Sequence, residues 1–190
     1  MTGVTYVEYT LGGKWLEMLK EIAPSVTRVA VIHNSENRLV AGFLPAIEAV
    51  APSLGVQLTP TSVRNVADIQ RSIDAFAGES NLGLIVLPDV LAVVNRELII
   101  ALAARHRLPA IYGFRYRGMT GGLISHGVDT AEAYRQAASY VDRILKGEKP
   151  GDLPIQQPTK FELAINRKTA AALGLSVPPT LLAIADEVIE

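Results

Sequence analysis

The sequence contains no cysteine. That removes disulfide frameworks, thiol nucleophiles, iron–sulfur ligation and cysteine zinc sites together, and it leaves the redox compartment unread. An excess of charge of either sign is also missing. Lys+Arg 18 against Asp+Glu 19 gives a net charge of −1, and neither sign gathers into a run. Such a chain carries no electrostatic footprint for nucleic acid or an anionic membrane, so nucleic acid is not expected as a partner. Apolar stretches such as residues 98–104 fall well short of the ~20 residues that span a bilayer. The opening Met1-Thr2-Gly3-Val4-Thr5 has neither the basic start nor the apolar core of a secretion signal. A soluble chain without an export signal is the expectation.

What is present suits one domain, or slightly more, with a full interior: 190 residues, of which 49% are hydrophobic and 19% charged. That balance belongs to globular rather than disordered chains. Val29-Ala30-Val31-Ile32 ends in the polar cluster His33-Asn34-Ser35-Glu36-Asn37, the pattern of a parallel strand buried on both faces. Phe43, Leu44, Ile47, Val50, Ala51 and Leu54 then recur at helical spacing before Gly55, which predicts a helix and its stop. The unit repeats, with strands at 56–58, 82–87 and 108–112 and helices starting at Asn65 and spanning 90–106. Strand starts at 28, 56, 82 and 108 are separated by about one strand–helix unit with a right-handed crossover. The fold class predicted is α/β, a Rossmann-like parallel sheet flanked by helices in three α/β/α layers.

Ahead of the first strand, Trp15, Leu16, Leu19 and Ile22 mark an amphipathic helix closed by Pro24. The rhythm breaks after Tyr112 in a segment rich in Gly, Arg and aromatics. A strand at 123–126 and a helix at 130–145 follow it. Residues 146–159 hold too much Pro and Gly for an element interior and read as an extended connector. A strand at 161–165, a short helix at 168–173 and a last helix at 180–189 complete the chain.

Ligands of parallel sheets bind beyond the carboxyl ends of the strands, at a topological switch point. The residues following the predicted strands are therefore the candidates: Asn34 after the first, Asp89 after the third, Tyr112 and Phe114 with Arg115, Tyr116 and Arg117 after the fourth, His126 and Asp129 after the fifth. Carboxylates, amides, an imidazole and aromatic faces on one rim suit a small polar or zwitterionic ligand. The same Asp89, Asn34 and Asp129 equally suit turn or N-cap positions, and the aromatic cluster equally suits a packed hinge. His33, His106 and His126 lack any ligand spacing, so no metal is expected. His106, between Arg105 and Arg107 at a helix end, fits a partner for the helix dipole. No Gly-x-Ser-x-Gly elbow surrounds Ser125, and Gly12-Gly13-Lys14 lacks both the Walker spacing and a preceding buried strand.

Several segments together carry a resemblance. Thr2-Gly3-Val4-Thr5, Gly12-Gly13-Lys14-Trp15-Leu16-Glu17, Lys20-Glu21-Ile22-Ala23-Pro24, Ala103-Ala104-Arg105-His106-Arg107-Leu108-Pro109-Ala110, Tyr140-Val141-Asp142-Arg143-Ile144-Leu145-Lys146-Gly147 and Gln157-Pro158-Thr159-Lys160-Phe161-Glu162-Leu163 resemble the ABC transporter substrate-binding proteins, the family that includes TrpX-like amino-acid binders. The resemblance implies a type I periplasmic-binding-protein fold, in which two Rossmann-like lobes joined by three crossovers hold ligand in the cleft between them. On that reading residues 1–115 form the C-terminal-type lobe with a leading helix. Residues 116–146 form a hinge crossing plus a helix of an incomplete N-terminal-type lobe, and 147–190 the connector, an edge strand added to the second lobe and terminal helices. Asn34, Asp89 and Asp129 would approach the ligand, with Tyr112, Phe114 and His126 as packing or stacking contacts.

Family members are longer and begin with a secretion signal and the units of the first lobe, so the expectation is a fragment or late-start reading frame. Periplasmic location follows by resemblance, and cytoplasmic location if Met1 is the true start. The implied partners are a small solute (an amino acid or an aromatic or organic acid) and an inner-membrane ABC permease, with self-association of a truncated chain through exposed apolar surface. No cofactor and no catalysis are implied. Two other readings stay open: the effector-binding core of a regulator, which needs a helix-turn-helix that this sequence does not show, and an α/β enzyme, which needs a convergent acid, base or nucleophile set.

Overall fold

Wholly apolar, β-branched runs favour the middle of a parallel sheet, where helices cover both faces. In the computed structural model, which describes residues 2–78, 80–114 and 121–190, the chain begins β1 (Gly3–Val4), α1 (Leu11–Ile22), β2 (Arg28–Asn34), α2 (Arg38–Ala41), α3 (Leu44–Val50), β3 (Gln57–Val63), α4 (Val66–Phe76), β4 (Leu82–Val86), α5 (Val90–Val94) and α6 (Arg96–Arg105). It continues β5 (Ala110–Tyr112), β6 (Ile124–Val128), α7 (Thr130–Leu145), β7 (Ile155–Gln156), β8 (Phe161–Asn166), α8 (Arg167–Ala172), α9 (Pro179–Ile184) and β9 (Glu187–Ile189). Seven strands form one sheet in the order β3-β2-β4-β5-β6-β8-β9, parallel except where β8 runs antiparallel to β6. The two apolar runs, β2 and β4, lie side by side, with Val29 opposite Gly83 and Ile32 opposite Val86.

Alternation along the strands divides the interior into two cores. Val29, Val31, Ile85, Ile111 and Ile124 face α1 and α3, whereas Ala30, Ile32, Leu84, Val86 and Ala110 face α4 and α6. This is the three-layer α/β/α arrangement expected. Helix α1 buries Leu11, Trp15, Leu16, Leu19 and Ile22 on one stripe. It crosses α3 so closely that a Cβ on Gly12 would stand 2.7 Å from the Phe43 carbonyl oxygen. Asn and Asp side chains start α2, α4, α5, α7 and α8 by accepting backbone N–H bonds, each a contribution of about 1 kcal/mol.

The structure departs from the sequence reading at four places. The helix expected over 90–106 is broken at Asn95, whose side chain donates to the Leu91 carbonyl at 2.8 Å and so closes α5 before α6 begins. The last predicted helix ends at Ile184, and Glu187–Ile189 forms a strand instead. That strand pairs with β8, so residues 161–165 lie inside the sheet and not at its edge. The connector is not wholly extended, since it contains a helical turn at Pro150–Asp152 and strand β7.

Strand β7 pairs in parallel with β1 in a separate two-stranded sheet, Gly3 opposite Ile155. Helix α7 packs beside it, with the Tyr140 hydroxyl donating to the Pro154 carbonyl at 2.9 Å. Tyr134 and Leu145 on α7 remain 78% and 82% exposed. Among the described residues the chain passes between this small unit and the large sheet three times: from β1 to α1, from β6 to α7, and from β7 to β8.

Candidate functional site

From β2 the chain crosses outward to β3, and from β4 it crosses the other way to β5, so consecutive loops part between β2 and β4. This is the switch point at which open α/β sheets take ligands. Asn34 ends β2 and Asp89 follows β4, and the two meet there. Asn34 Nδ2 donates to Asp89 Oδ1 at 3.3 Å, Asn37 Nδ2 donates to Oδ2 at 2.7 Å, and the Leu91 N–H donates to Oδ1 at 2.8 Å. Asp89 is 5% exposed. Of the roughly four lone-pair positions of a carboxylate, three are taken, so Asp89 fastens the two loops together as well as capping α5. Above them lies an open depression of about 670 Å³ to which Glu36, Asn37, Arg38 and Val90 also contribute.

A second depression, of about 410 Å³, brings Phe114 together with Tyr6, Thr130 and Tyr134. The two are linked through the rim. A Cβ on Gly113 would meet Pro88 Cδ at 2.7 Å and the Trp15 ring at 3.0 Å, so the β4 and β5 loops touch next to Asp89 and Phe114. Trp15 supports the rim from below: its ring lies 5.0 Å from that of Phe43, and its Nε1 donates to the His126 carbonyl at 2.8 Å.

The remaining predicted residues line neither depression. Tyr112 is only 2% exposed and points into the core under α6, because one strand step separates it from Ile111 on the opposite face. His126 is half-buried beside Phe161, ring centroids 6.4 Å apart. Burial pushes its pKa down, Lys14 adds to this and Asp186 opposes it. Among the described residues its Nδ1 has no hydrogen-bond partner. Asp129 caps α7 by accepting from the Glu132 N–H at 3.1 Å and pairs with Lys160 Nζ at 3.0 Å. The hydrogen-bonded Lys160 ammonium holds its carboxyl below the usual range against the opposing effect of burial. Arg115, Tyr116 and Arg117, also placed on the rim by sequence, lie outside the described residues.

Sequence reasoning gave Tyr6, Arg38 and Tyr134 no role and read Trp15 as part of the apolar stripe of α1, not as the support of the rim. Asn37 was legible as a polar rim residue, but its bond to a carboxylate 52 positions away was not. Among the described residues no group of three or more His, Cys, Asp or Glu side chains converges to hold a metal ion, and no helix is long and apolar enough to cross a membrane.

Comparison with known proteins places this architecture. The chain is 21% identical over 168 residues to a tyrosine-binding protein of Clostridioides difficile, covering 88% of this chain and 48% of the relative. It thus spans about half the length of that curated relative. It superposes on an ABC domain in complex with L-Trp from Streptococcus pneumoniae with a TM-score of 0.85 at 19% identity, over 99% of this chain and 64% of the other. A conserved domain protein from Vibrio cholerae gives a TM-score of 0.87 at 27% identity, over 98% and 62%. The fold is thus that of a substrate-binding-protein lobe with its mostly parallel sheet. A family model described as ABC transporter substrate binding protein matches residues 1–189, and the chain belongs to that family.

Proposed function

We propose that the protein is the solute-binding component of an ABC importer, acting by binding without turnover on the outer side of the cytoplasmic membrane, in the periplasm where there is one. Its solute is an amino acid or a related aromatic acid, and its partner is the membrane permease. The carrying observation is the rim at the switch point, where an Asn34–Asp89–Asn37 cluster adjoins an aromatic depression formed by Phe114, Tyr6 and Tyr134. Amides and the last acceptor position of Asp89 match an ammonium and a carboxylate, and the rings match an aromatic side chain. The tyrosine-binding relative and the L-Trp complex support this choice of solute.

In this reading the large sheet is one lobe, while β1, α7 and β7 are the start of a second. His126, Asp129 and Lys160 sit at the hinge between them. Tyr112 acts from within the lobe by packing. Solute that touches both lobes stabilises the closed arrangement, which the permease then recognises.

The test is a thermal-shift titration of the naturally expressed protein with L-tyrosine, L-tryptophan and aryl-alkanoic acids. Ligand at about 100 times Kd adds roughly 2.7 kcal/mol. At ~2–4 °C per kcal/mol, that raises Tm by about 5–11 °C. Saturating concentrations that leave Tm unmoved, or chemical conversion of the added solute, would refute the reading.

A further inference from the structure

A groove of about 610 Å³ lies at the opposite end of the sheet from the rim, between the C-terminal turn of α6 and helix α8. Ala103 and Ala104 form one wall and Ala172 and Leu173 the other, with Tyr112 and Leu123 on the floor. Its volume falls within the range of small-molecule pockets, and its surface is predominantly apolar. Two cations, Arg107 and Lys168, stand on its lining, and neither forms an ion pair among the described residues. The single carboxylate among the described lining residues, Glu187, is already engaged in an interaction of its own.

Arg107 occupies a position whose backbone favours glycine. It follows the end of α6 with φ +53, and the bonds from the Arg107 N–H to the Ala104 carbonyl and from the Leu108 N–H to the Ala103 carbonyl complete a Schellman-type stop. Glycine adopts that conformation without strain, so an arginine there puts its guanidinium beside the groove at a conformational cost.

We propose that this groove is a second ligand site, which takes an apolar carboxylate without an amino group. Arg107 and Lys168 receive the carboxylate and the walls of α6 and α8 enclose the apolar body. The two cations outnumber the single carboxylate of the described lining, Glu187, so the groove favours a ligand of net negative charge over a zwitterionic amino acid. The site is independent of the rim, since Leu108, Gly121 and Leu123 place it at the amino ends of β5 and β6.

The experiment is calorimetric titration with 1-naphthylacetate, using 1-naphthylacetamide as its uncharged counterpart. With saturating L-tryptophan present to occupy the rim, saturable binding of the acid at one further site is expected, with the amide about tenfold weaker, as the loss of a charge-assisted hydrogen bond implies. Arg107→Gly and Lys168→Gln each weaken the acid about tenfold, while Arg107→Gly leaves Tm of the unliganded protein unchanged or higher. Ala172→Glu, on the exposed wall, weakens binding without unfolding the protein. Equal affinity for acid and amide, undiminished binding by the Arg107→Gly/Lys168→Gln double variant, or displacement of the acid by L-tryptophan would each overturn the proposal.

Discussion

Replacing Asp89 by alanine separates the two roles its position allows, fastening the rim loops and receiving solute. The carboxylate accepts from the Leu91 N–H at 2.8 Å, from Asn37 at 2.7 Å and, more weakly, from Asn34 at 3.3 Å. Loss of the α5 cap costs about 1 kcal/mol. The short, charge-assisted bond to Asn37 contributes about 1.5 kcal/mol, and the longer one to Asn34 about 0.5 kcal/mol. Asn34 and Asn37 are only partly buried, so water meets their freed N–H groups and no further penalty is added. The sum is about 3 kcal/mol, or a fall in Tm of about 6–12 °C for a chain of this size. Urea unfolding with an unchanged m value measures it. A double-mutant cycle with Asn37→Ala should return a coupling of about 1.5 kcal/mol. If Asp89→Ala left stability within about 0.5 kcal/mol of the parent, the carboxylate would not be holding the loops.

Gly12→Ala should destabilise by about 1–3 kcal/mol even though alanine is the better helix former, because the added Cβ would stand 2.7 Å from the Phe43 carbonyl oxygen and push α1 off α3; denaturant titration against Gly151→Ala, where nothing lies within 4 Å, is the control. Asp129 has its pKa lowered in the folded protein, chiefly by its hydrogen bond from Lys160. Its stabilising contribution is therefore complete above the unfolded-state value of ~3.9 and is lost as pH falls from there through the lower folded value. Lys160→Met should diminish that part of the acid-side loss and lower stability at neutral pH, as read from denaturant midpoints between about pH 2 and 7.

The parallel sheet was legible because its central strands are buried on both faces, so Val29 to Ile32 and Leu82 to Val86 read as unbroken apolar runs. The start of helix α7 was legible through Asp129 as its cap. Strand β9 was not, since Glu187-Val188-Ile189 lies at an edge. There its position depends on pairing with β8 and on the Asp186 carboxylate, which accepts from the Leu163 N–H at 2.7 Å. At the rim, Asn34 and Asp89 could be chosen because strand ends and turn residues are local features. The inward orientation of Tyr112 depends on strand parity, and the tie from Asn37 to Asp89 on register between distant segments, neither of which a single loop reveals.

The three passages of chain between the small β1–β7 unit and the large sheet are also tied to one another. The Thr5 N–H donates to the Gln156 carbonyl at 2.9 Å and the Asp129 N–H to the Lys160 carbonyl at 3.0 Å, with the Asp129–Lys160 ion pair alongside. A single tether would leave one body free to swivel about the other in any direction. Three tethers laced side by side act like the knuckles of a door hinge, suppressing twist and slide and leaving one bending coordinate. Motion of the two units is thereby confined in advance to approach and retreat. In the proposed binding role, little orientational entropy would remain to be lost when solute bridges the two units.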